Sequence, residues 1–113
     1  MLFRSRKFKI WEYWISHSQL LLRSHNTISE PKNIDLKFVG VDYIELPTIV
    51  DGLELVDPTH EECRKAGQVL DREVAVETVF VILTNGRRYL IVAGGLAVSE
   101  NELDMFKPSL ERF

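Results

Sequence analysis

The strongest hydrophobic pattern in this chain has a period of two and is centred on Asn85-Gly86. A type I′ turn needs positive φ at both central positions, which Asn and Gly tolerate best, so this dipeptide between two β-forming runs predicts a hairpin. The turn pairs Thr84 with Arg87, Ile82 with Tyr89, Phe80 with Ile91 and Thr78 with Ala93. The opposite face then carries Val79, Val81, Leu90 and Val92. Both faces are apolar, so both must be covered, and the hairpin is expected at the centre of the fold.

Other strands follow from weaker signals. Asp51-Gly52 predicts a turn joining Ile44–Val50 to Leu53–Val56. Pro47 cannot donate to a ladder, which bends that strand or places it at an edge. Ile34-Asp35-Leu36-Lys37-Phe38 alternates, one face in and one out, and Gly40 marks a bend after it. A first hairpin is expected from Lys7–Ile15, through Ser16-His17-Ser18, to Gln19–Ser24. With Ile15 opposite Leu20, Tyr13 opposite Leu22 and Glu12 opposite Arg23, one face is apolar and opposite charges meet on the other. The polar stretch Ser24–Asn33 is read as a surface loop.

Helical spacing appears twice. Asp57 and Pro58 suit an N-cap and first helical residue, and Thr59 with Glu62 offers an alternative capping box. Cys63, Ala66, Gly67 and Leu70 then share one face. A second helix is expected from Ser99, with Glu102 as its capping partner, Leu103 and Phe106 inward, and Pro108 near its end. Gly94-Gly95 lacks the spacing and the lysine of a phosphate loop and is read as a bend that redirects the strand. The predicted fold is α+β. It is mainly an antiparallel β roll or partly open barrel of six to seven strands in hairpins, with a helix near 58–70 and a C-terminal helix near 99–107.

Composition narrows the class. One hundred and thirteen residues allow a single domain over 1–113, and 45% apolar with 27% charged residues suits a globular core. One cysteine, Cys63, excludes an internal disulfide framework. No apolar run approaches a membrane span, and no apolar signal core follows the basic N-terminus, so a cytoplasmic location without membrane association is expected. Charge is uneven. Arg4, Arg6, Lys7 and Lys9 make the first nine residues basic, and the rest carries ten bases against seventeen acids. An acidic body repels a polyphosphate, which disfavours nucleic acid as a partner.

Candidate chemistry is sparse. Glu61-Glu62 diverge on a helix and cannot act on one atom. His60 and Cys63 supply two metal ligands where more are needed, so neither a metal nor another cofactor is expected. The aromatic and hydrogen-bonding groups of the first hairpin are the best candidates for a ligand or partner surface: Glu12, Trp14, His17, Arg23 and His25. The run Trp11-Glu12-Tyr13, Ser16 to Ser24, Leu46-Pro47-Thr48 and Asp51-Gly52-Leu53 resembles small single-domain bacterial proteins of uncharacterised function. That resemblance implies a bacterial cytosolic origin and brings no catalytic residues. The leading expectation is a non-catalytic binding or interaction domain that self-associates, with a homo-oligomer or another protein as partner. Two alternatives are a small enzyme of unrecognised type using His17, Arg23 and Glu12, and a weak nucleic-acid binder acting through the basic N-terminal arm.

Overall fold

A computed structural model describes residues 2–27 and 31–101. In chain order these form β1 (Leu2–Trp14), a 3₁₀ turn (Ile15–His17), β2 (Gln19–Ser24), β3 (Asn33–Val39), β4 (Tyr43–Ile44) and β5 (Ile49–Val56). Helix α1 (His60–Leu70), a second 3₁₀ turn (Val76–Thr78), β6 (Val79–Thr84), β7 (Arg87–Val92) and β8 (Gly95–Asn101) follow. The eight strands make one open antiparallel sheet in the order β4-β7-β6-β5-β1-β2-β3-β8.

Two short connections force this sheet to curl. β7 and β8 stand six steps apart in the order yet are joined by Ala93-Gly94 alone, and β3 and β4, also six steps apart, by Gly40–Asp42. Six strand spacings in a flat sheet would put them about 29 Å apart. Two linking residues reach only about 11 Å between strand ends, so the sheet must roll until its ends approach. Gly94 seals the approach, its N–H donating to the Val39 carbonyl at 2.8 Å.

The roll encloses the main core. Phe8, Leu20, Leu22, Leu36, Phe38, Val50, Leu53, Ile82 and Ile91 pack together inside it, with Phe3, Phe80 and Leu96 at its margin. On the outer face of the β6–β7 hairpin, Val79, Val81, Leu90 and Val92 pack beneath Ala66, Cys63 and Leu70 of α1. Both faces of the central hairpin are thus covered within one chain, and its register is the one the Asn85-Gly86 turn predicts.

Helix α1 begins at the capping box of Thr59 and Glu62, not at Asp57, each side chain bonding the other's backbone N–H. Three ion pairs join the helix and its flanks to the sheet region: Arg88 to Glu62 at 2.8 Å, Lys65 to Glu45 at 3.2 Å, and Arg72 to Asp42 at 2.6 Å.

The sequence expectations fail at four places. Asp51-Gly52 is no turn: β5 runs straight through it because β1 and β6 both pair with this segment. Gly52 instead takes φ +74° at an irregularity in the β1–β5 ladder, where a Cβ would lie 2.8 Å from the Arg4 carbonyl oxygen. The first hairpin has Tyr13 opposite Leu20 and Glu12 opposite Leu21. Its loop is a 3₁₀ turn closed by Ser18 in the left-handed region, and a bulge at Trp11 shifts the register again. Ser99 lies in β8 opposite Asp35, so no helix starts there, and the rest of the predicted helix lies outside the described residues. Among the described residues the strand count is eight, because Gly95–Asn101 pairs with β3.

Candidate functional site

The five candidate residues of the first hairpin separate into three environments. Arg23 is fully buried on the face of β2 opposite the core. Its Nε donates to Asp35 Oδ1 at 2.7 Å and its Nη2 to Asp35 Oδ2 at 2.9 Å, a bidentate pair across the β2–β3 ladder. Asn101 Nδ2 donates to the same Asp35 Oδ2 at 2.7 Å, Asn33 Nδ2 donates to Asn101 Oδ1, and the Asn26 N–H donates to Asn33 Oδ1. The Trp11 ring caps the guanidinium at 5.7 Å. Arg23 is therefore withdrawn from any partner-facing surface, and it holds the Asp35 carboxylate across the ladder. Glu12 is half-buried across from Leu21.

Trp14 and His17 meet at the hairpin tip. Their rings stack with centroids 3.8 Å apart, and Ser16 Oγ lies 3.2 Å from His17 Nδ1. Beside them Ile15 is 78% exposed and Tyr13 40%, and Val39 at the end of β3 is 36% exposed. The Ser18 carbonyl accepts from the Val41 N–H at 2.9 Å, holding the tip against the β3–β4 connection.

His25 lies elsewhere, half-buried, 6.3 Å from the Trp11 ring and facing the basic half of β1. Together with Ser5, Lys7, Lys9, Ser24 and Thr27 it lines a concavity of about 370 Å³. Arg6 forms one wall. Its Nε donates to Ser24 Oγ at 2.9 Å, and its Nη2 to the carbonyls of Ser24 and Lys32.

A larger groove of about 570 Å³ opens where Leu55, Val79, Phe80 and Leu96 meet at the margin of the roll, with Asp57 and Glu77 on its rim. The rest of its described lining, Val56, Pro58, Val76 and Val81, is apolar. Among the described residues, no three of the His, Cys, Asp and Glu side chains are grouped to hold a metal ion. None of the described helices is long and apolar enough to cross a membrane.

Sequence reasoning missed Asp35, Asn33 and Asn101. The available signal was Asp35 itself, an acid between Ile34 and Leu36, because a charge that folding buries needs a partner. Comparison of the chain with known protein families, characterised proteins and solved structures finds no match. Function must be argued from the geometry.

Proposed function

We propose that this chain is a non-catalytic binding domain that associates with a second copy of itself through the tip of the β1–β2 hairpin. The carrying observation is apolar surface exposed at this tip: Ile15 is 78% exposed next to the stacked Trp14 and His17, and Tyr13 and Val39 at the nearby strand ends are exposed as well. Contiguous exposed apolar surface is uncommon on monomers and marks interaction sites. Ring stacking and the Ser18–Val41 bond order this tip beforehand, which lowers the entropy that association must overcome. The expected need to cover the central hairpin does not support self-association, since α1 and the curled sheet already cover it.

An enzyme built on His17, Arg23 and Glu12 is less well supported. Arg23 is committed to Asp35, and His17 sits at an exposed tip, so the three do not line one concavity. A cytoplasmic setting belongs to this proposal.

Solution mass across a concentration series tests the association. The mass is expected to rise from one chain toward two with concentration. Ile15→Glu should hold it at one chain without lowering Tm, since an exposed side chain contributes little to folding. A mass of one chain at every concentration overturns the proposal.

A further inference from the structure

The basic segment of β1 forms part of a walled concavity, and we infer that this concavity binds a compact phosphate-bearing anion. Three observations carry this inference. First, the lining supplies the ammonium groups of Lys7 and Lys9, the imidazole of His25 and the hydroxyls of Ser5, Ser24 and Thr27, with no carboxylate among the described residues that line it. That is a donor set matched to phosphate oxygens.

Second, Lys7 and Lys9 form no ion pair among the described residues, although other surface cations of the chain do. Asp51 stands opposite Lys7 across the β1–β5 ladder without closing a salt bridge, and Lys9 stands between Ile49 and the already neutralised Arg23. Third, the wall is fixed. Arg6 is 8% exposed and ties β1 to Ser24 and Lys32 through bonds to neutral oxygens, which holds the hydroxyl side of the cavity against the lysine side.

Size and charge distribution define the ligand. A concavity of about 370 Å³ lies in the range of small-molecule sites. The positive field is local to the first nine residues, and the remaining chain has an excess of acids, so a long polyanion would meet repulsion beyond the site. A single phosphate or diphosphate group placed within the cavity gains the attraction without that cost. This inference is independent of self-association at the hairpin tip.

The test is titration of the full chain at low salt with inorganic phosphate and then pyrophosphate, followed by amide and imidazole NMR shifts. Saturable shifts centred on Lys7, Lys9 and His25 are expected, tighter for pyrophosphate and weakened by added salt. Lys7→Gln with Lys9→Gln should weaken binding at least about tenfold with Tm unchanged, because each loses a charge-assisted contact. Arg87→Gln, which removes an exposed charge from β7, should leave the affinity as it was. Absence of saturation with both anions overturns the inference, as does binding that Arg87→Gln weakens as much as Lys9→Gln does. Binding of a single-stranded oligonucleotide without binding of phosphate or pyrophosphate also overturns it, in favour of a polymer ligand.

Discussion

At the scale of single residues, the Arg23–Asp35 pair dominates the outer face of the β2–β3 ladder. Both side chains are fully buried, so removing one charge takes the bidentate partner from the other in a poorly solvated place. Asp35→Asn should therefore cost about 3–5 kcal/mol in urea denaturation. Replacing both partners together, Arg23→Met with Asp35→Leu, should cost distinctly less, because neither member of the pair is left buried without the other. Equal losses in the two variants would mean that the pair is not the source of the effect. Glu62 presents the opposite case, a half-buried carboxylate at the wet edge of α1. The Arg88 guanidinium outweighs the opposing effect of burial and, helped by the Thr59 backbone bond, holds its pKa down at about 2. A folded pKa below the unfolded one stabilises at neutral pH, and the gain is lost as pH falls from the ordinary glutamate range toward 2. Arg88 is about a third exposed, so screening limits the effect to about 1 kcal/mol. Glu62→Gln should remove that part of the acid dependence, as denaturation at neutral and acid pH would show.

At the scale of elements, local signals were legible where one turn or cap decides the structure alone. Asn85-Gly86 imposed the register of β6 and β7, and Thr59-Glu62 set the start of α1, because each acts within four residues. Signals failed where a distant strand overrode them. Asp51-Gly52 would close a hairpin in isolation, but pairing with β1 and β6 keeps β5 extended. Ser99 and Glu102 read as a cap, but the edge of β3 recruits the segment as β8. Gly67, on the helix face it shares with Cys63, Ala66 and Leu70, meets the backbone that ends the helix. The helix ends with the Arg72 N–H bonded back to the Gly67 carbonyl and Asp71 in the left-handed region, and a Cβ on Gly67 would lie 2.9 Å from the Arg72 oxygen. Gly to Ala inside a helix ordinarily gains about 1 kcal/mol. Gly67→Ala should instead lower Tm, since backbone must move, and a rise in Tm would contradict this contact.

At the scale of the whole molecule, a β roll or partly open barrel was expected from the sequence, but what curls the open sheet was not legible: two short connections between strands six places apart. Mainly antiparallel strand pairing was legible from alternation, whereas the strand count differs and the strand order could not be read, since β1 pairs with β5 across the whole intervening chain. The curl also explains why the candidate residues dispersed. It buries Arg23 beside Asp35, leaves Trp14 and His17 at an exposed tip, and turns His25 toward Lys7 and Lys9. The central claim is that the tip is where this domain meets a second copy. Its most direct test is an NMR dilution series of the wild-type chain, read residue by residue. Concentration-dependent shifts should gather at Tyr13, Trp14, Ile15, His17 and Val39 and leave the central hairpin unchanged. Spectra that do not change with dilution, or changes that gather away from the tip, would contradict it.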